Sequence, residues 1–134
     1  MNAFIVELDN RPGAMARIAQ AIADRGIDIT GFAGVTAGGS GAILLITNDE
    51  PGTRKVLAEQ QCTSREIELV TVGLEARPGT LAAVANKLAE AGINIEGATP
   101  IGMSGGTVQV AFATDDPAKA RSVLGQRVMT PTMG

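Results

Sequence analysis

The sequence predicts an α+β fold in which the order βαββαβ occurs twice. Three observations lead there. The segment Asn10–Gly31 recurs as Ala76–Gly97 at an offset of 66, with 10 identities in 22 positions, and a repeat of that kind sets the architecture before any other reading. Within each copy, apolar residues at helical spacing follow a stretch rich in strand formers. In each copy, too, a glycine-rich turn (Ala37 to Gly41, Ser104 to Gly106) separates two further strand-like stretches, as a hairpin requires.

The elements follow in chain order. Residues 2–8 carry the β-branched and aromatic content of a strand. Asp9 to Gly13 is a turn, and Pro12 suits the first position of a helix, where its missing N–H would be unpaired anyway. Met15, Ile18, Ala19 and Ile22 then mark one apolar helix face, and Gly26 ends that helix as a left-handed cap. Ile27 to Val35 and Ala42 to Thr47 read as strands. A helix over Pro51 to Gln60 follows, with Asp49 or Glu50 at its positive end. A short strand begins near Ser64 and runs without a turn signal into the next copy.

The second copy has a strand at Leu69–Glu75 and a helix face of Leu81, Val84, Ala85 and Leu88. Strands at Ile93 to Ile101 and Thr107 to Ala113 precede a helix from Pro117 with Asp116 as N-cap. A last strand at Gln126 to Thr130 and a frayed tail complete it. The domains are 1–66 and 67–134, each on the split-βαβ, ferredoxin-like plan. Each is small enough to be marginal alone.

Composition excludes several functions. Hydrophobic residues make up 45% of the chain, enough for a core, but aromatics only 2%, all Phe, so Ala, Ile, Val and Leu must build it. A net charge of −3 without Trp or Tyr is no footprint for nucleic acid. There is no His, and Cys62 is the single cysteine. Disulfides, zinc sites and the common nucleophile–base pairs therefore cannot be built, and no metal, cofactor or catalytic residue is expected. Cys62 reads as a small apolar residue near a helix end. The start shows no signal peptide and no apolar run reaches membrane-spanning length, so a soluble, cytoplasmic protein is expected.

The turn Asp9-Asn10-Arg11-Pro12-Gly13, the small-residue helix after it and the exit Gly92-Ile93-Asn94-Ile95 resemble the ACT domain, a small ligand-binding module of amino-acid metabolism. The likeness covers nearly all 134 residues and extends to stand-alone bacterial proteins made of two such domains. Those segments look especially like the serine-binding regulatory domain of phosphoglycerate dehydrogenase, although Leu8 stands where that domain carries His. The resemblance implies that the two units lie side by side in one eight-stranded antiparallel sheet, helices on one face. It also implies an effector amino acid held between them. Carried over by position, the binding residues are Leu8, Asp9, Asn10, Arg11, Pro12, Gly13, Ala14 and Met15 of the first copy, with Asn94 and Ile95 of the second. A second, weaker site would use Ala76, Arg77, Gly79 and Thr80 with Asp28 and Ile29.

These residue types suit a zwitterion. The helix start offers N–H groups of Gly13, Ala14 and Met15 to a carboxylate, and a glycine lets a ligand approach the backbone. The amides of Asn10 and Asn94 each carry a donor and an acceptor. The second site lacks a polar side chain at Ala76, and Asp28 would repel a carboxylate. Simpler roles compete: Pro-Gly starts many helices, Asn10 is a good N-cap, and Asn94 suits turn backbone.

The sequence thus points to an amino-acid-binding regulatory protein that acts allosterically by shifting the state of itself or of a partner, any regulated enzyme being on another chain. The alternative is a structural or oligomerisation module whose ligand sites have decayed. A homodimer is expected through the helix-free sheet face, where some of Ala3, Ile5, Leu45, Leu69 and Ala111 would lie exposed.

Overall fold

Side chains alternate along β1 (Asn2–Asp9), so that Phe4 and Val6 face one way and Ala3 and Ile5 the other. In this computed structural model, which describes residues 1–125, that alternation sets the first core. β1 is followed by α1 (Ala14–Asp24), β2 (Ile29–Ala37), β3 (Ser40–Thr47), α2 (Glu50–Glu59) and β4 (Ser64–Glu68). The sheet order is β2-β3-β1-β4, so each βαβ crossover brackets a third strand, as in a ferredoxin-like fold. Antiparallel register sets Phe4 opposite Leu45 and Val6 opposite Ile43. These four residues pack against Ile18 and Ile22 of α1 and Val56 and Leu57 of α2, so both helices cover the same sheet face.

The second unit repeats the plan with β5 (Val70–Glu75), α3 (Thr80–Glu90), β6 (Ile95–Ser104), β7 (Thr107–Thr114) and α4 (Pro117–Leu124), in sheet order β5-β7-β6. Its core gathers Val70, Val72 and Leu74 with Leu88, Phe112, Ala120 and Leu124. The chain divides into two units between Ile67 and Glu68. The expected strand Gln126–Thr130 and the tail after it lie outside the described residues. The described strands form one four-stranded and one three-stranded sheet; the joined eight-stranded sheet is not seen among them. No helix among the described residues is long and apolar enough to cross a membrane.

A single bulge accounts for the change of repeat offset. Both copies shift register at the start of the second strand, at Ile29/Gly31 and at Ile95/Gly97. Only β6 shifts again, between Pro100 and Gly102, which inserts Ile101. Before it the copies are 66 residues apart (Ile29 with Ile95); after it they are 67 apart (Asp49 with Asp116).

Two expectations are corrected. Pro12 is not the first helical residue. Arg11-Pro12-Gly13-Ala14 is a type II β-turn, with Gly13 at φ 86 and ψ −9 and the Ala14 N–H weakly donated to the Arg11 carbonyl at 3.4 Å. The left-handed φ explains the glycine, since any side chain there would cost about 1–2 kcal/mol. Gly79 repeats it at φ 92. The exposed apolar face is also not found. Leu45 lies on the helix-covered face, and Ala3, Leu69 and Ala111 are buried as well, with Ile5 half-buried. Other expectations hold. Gly26 ends α1 at φ 72, Asp116 caps α4 through the Lys119 N–H at 3.0 Å, and half-buried Cys62 packs against the first core near the end of α2.

Polar side chains hold α2 in place. The Asp49 carboxylate accepts from the Gly52 N–H at 2.9 Å, capping the helix. Buried beneath it, the Thr47 and Thr53 hydroxyls meet at 2.7 Å, and Thr53 lies 2.8 Å from the Asp49 carbonyl. At the sheet edge, Arg54 donates twice to Glu66, each bond 2.8 Å, and the Asn2 amide adds a third at 2.7 Å. Led by the Arg54 hydrogen bond, these partners lower the Glu66 pKa from 4.5 to about 2. The sign follows from the depression: the pair stabilises fully above pH 4.5 and its contribution fades as pH falls toward about 2. In acid-unfolding curves, Glu66→Gln is expected to remove that part of the pH dependence; an unchanged acid limb would refute the coupling.

Candidate functional site

The type II turn follows the end of β1, which β3 separates from the edge strand β2. Between the turn and β2 lies a cleft of about 380 Å³ lined by Leu8, Asp9, Asn10, Arg11, Ala14 and Met15, with Phe32, Gly34, Val35 and Thr36 of β2 and Ala42 of β3. Six residues expected from the sequence therefore share one recess within the first unit. Pro12 and Gly13 shape the turn without lining it.

The polar groups are partly committed. Asn10 does not cap α1, which has no side-chain cap. Instead its Nδ2 donates to the Gly38 carbonyl at 2.8 Å, tying the turn to the β2–β3 hairpin. Its Oδ1 stays available as an acceptor, which suits an ammonium. The Arg11 guanidinium stands 3.4 Å from the Asp9 carboxylate, both well exposed. An exposed pair of this kind is weak, so Arg11 can exchange Asp9 for an incoming carboxylate at little cost. An uncapped helix start adds N–H groups and a partial positive charge to the same recess.

Each of the remaining expected residues has its place within its own unit. Asn94 is exposed at the turn between α3 and β6, where its N–H donates to Asp115 Oδ1 at 3.0 Å and its carbonyl accepts from the Asp115 N–H at 3.1 Å. Asp28 makes the same two-way clamp with Asn48, at 3.0 and 3.1 Å. Ile95 packs on the second core and Ile29 on the first. At the second turn, the backbone N–H of Ala76 donates to the Gly106 carbonyl at 2.8 Å, the hairpin tie that Asn10 makes with its side chain in the first copy. Arg77 pairs with Glu75 at 2.8 Å, and the Thr80 hydroxyl lies 2.9 Å from the Glu75 carbonyl and 3.2 Å from that of Arg77. Thr80 thus closes its own turn, and Gly79 is its left-handed residue.

Sequence reasoning missed the β2 wall. Phe32 is 60% exposed and Val35 74%, on a strand at the sheet edge. The available signal was an aromatic side chain between the glycines Gly31 and Gly34 of a strand. A second cavity, about 180 Å³ and apolar, opens between α1 and β2, lined by Met15, Ile18, Ala19, Ile29, Phe32, Ile43 and Leu45.

Fold and cleft define a pair of ferredoxin-like units with a ligand-sized recess at the helix-entry turn of the first. Residues 3–61, within the first unit, match the ACT domain family, and the second unit repeats that unit's turn and element order, as a tandem of such domains would. Among solved structures it is similar to a protein from Bacteroides thetaiotaomicron (19% identity, TM-score 0.74, covering 94% of this chain and 87% of that one). It is also similar to the ligand-free regulatory subunit of aspartate kinase from Thermus thermophilus (21% identity, TM-score 0.61, covering 93% and 89%). A third likeness is to aspartokinase alpha and beta subunits (26% identity, TM-score 0.62, covering 92% and 89%). No curated protein matches the chain.

Proposed function

We propose that the protein is a regulatory subunit that binds a free amino acid at the Asp9–Met15 turn and transmits its presence to an enzyme on another chain. The observation that carries the reading is the cleft beside this turn. The Asn10 carboxamide oxygen, an arginine weakly held by its neighbour and an uncapped helix start belong to one recess there, the complement of a zwitterion. The neighbours that are regulatory subunits of aspartate kinase support the regulatory part. A ligand regulates only through unequal affinity for two states.

The finer reading, carried by family resemblance, is that Asn94 of the second unit completes the site opposite Asn10. The pair built on Ala76 and Asp28 would be the weaker one. A thermal-shift screen of the twenty amino acids tests the function, since a ligand of the folded state raises the melting point by mass action. At least one amino acid at millimolar concentration is expected to do so with about one site per chain, and Asn94→Ala is expected to weaken it several-fold. No shift from any of them would favour a structural module instead; two equal sites, or an unaffected Asn94→Ala, would remove the shared-site reading.

Self-association is proposed through the edge strands. Phe32 and Val35 on β2 and Met103 on β6 are each at least 60% exposed, on strands that lie at the sheet edges among the described residues. Light scattering is expected to report a dimer at micromolar concentration; a monomer there would contradict this.

A further inference from the structure

The apolar cavity behind the polar cleft points to the side chain of the ligand. The two recesses share Met15 and Phe32, so an apolar recess of about 180 Å³ lies next to the turn that would hold the charged head of an amino acid. Met15 is 44% exposed although it begins the apolar stripe of α1, because it forms a wall between the recesses instead of filling either. The inner end is closed by Ile18 and Leu45, both about 1% exposed.

The residues at two paired positions of this chamber differ in the second copy. Register places Phe32 opposite Leu45 in the first sheet, and Ala98 opposite Phe112 in the second. The aromatic ring sits at the rim in one copy and in the core in the other: Phe32 is 60% exposed, Phe112 1%. A leucine thus stands where the second unit packs a ring, and the aromatic wall stands outside. An apolar cavity of roughly 150 Å³ stays dry and accepts a benzene-sized guest, so the chamber fits a branched aliphatic, thioether or phenyl group.

We infer that the effector is an amino acid with a large apolar side chain, of the leucine, methionine or phenylalanine kind, its head at the Asn10 turn and its side chain in the chamber beneath Met15. This rests on the turn being the ligand site. Each methylene removed from water favours binding by about 0.8 kcal/mol, nearly four-fold per group. Leucine is therefore expected to bind at least ten-fold more tightly than alanine or serine.

The test is calorimetric titration of the full chain with leucine, methionine, phenylalanine, alanine, serine and aspartate, repeated on two variants that fill the chamber. Leu45→Phe copies the residue of the second unit. Ala19→Leu fills the chamber from the helix side at a half-buried position that tolerates change should the first variant fold poorly. The expected result is preference for the large apolar ligands, lost ten-fold or more in both variants while circular dichroism stays native. Serine or aspartate binding as tightly as leucine would overturn the inference and leave the turn site standing. Leucine binding unaffected by a folded filling variant would also overturn it. Binding of none of the six, with none of the twenty active in the thermal screen, would remove the turn site and the inference together.

Discussion

Phe112→Ala is expected to lower stability by about 3–5 kcal/mol, the usual cost of emptying a buried phenylalanine site. The ring is 1% exposed and, among the described residues, is the only aromatic in a second core otherwise made of Val, Leu, Ile and Ala. Its neighbours are short, and β-branched strand residues have little rotamer freedom with which to close the gap. Small domains have total stabilities of about 5–15 kcal/mol, so the loss is a large share of what a unit this size can hold. Urea unfolding followed by far-UV circular dichroism reads it directly. A loss below about 1 kcal/mol would mean that the ring does not organise the second core.

Removing one hydroxyl is expected to act with opposite signs in the two copies. Thr47 and Thr114 are equivalent, each at the end of its third strand and each buried. Thr47 meets Thr53 at 2.7 Å, but the position of Thr53 is taken by Ala120 in the second copy, and the Thr114 hydroxyl is left buried without a partner. A buried, unsatisfied hydroxyl costs about 1–3 kcal/mol, whereas a satisfied one contributes about 0.5–1.5 kcal/mol. Thr114→Val should therefore raise stability, while Thr47→Val should lower it and also leave Thr53 short of one contact. Paired denaturant melts decide the matter: equal signs would show that the duplicated site is energetically symmetric after all.

Much of the fold was legible because its signals are local. Asp116 and the glycine at Gly26 announced their caps, and the hydrophobic stripes Ile18/Ile22 and Leu88 announced the buried helix faces. The repeat then fixed the order of elements. What was not legible depends on neighbours distant in sequence. Pro12 reads equally well as a helix start or as the second residue of a type II turn; only the Gly13 dihedral decides. Leu45 was assigned to the wrong sheet face because β3 is apolar on both sides, so alternation carries no information there. The Ile101 bulge has no sequence signature beyond a changed offset, visible only once the strands are paired. At the candidate site, the turn residues were found from their motif. The β2 wall was missed, since Phe32 and Val35 reach the turn only through register with β3. The commitment of the Asn10 amide to Gly38 is likewise a contact across 28 residues.

The central claim is that the Asp9–Met15 turn is where a free amino acid is recognised. A crystal grown with the amino acid that gives the largest thermal shift tests it most directly. The expected result is ligand density whose carboxylate meets Arg11 and the start of α1 and whose ammonium meets the Asn10 carboxamide. Ligand density away from this turn, or at Arg77–Thr80 with the first turn empty, would contradict the claim.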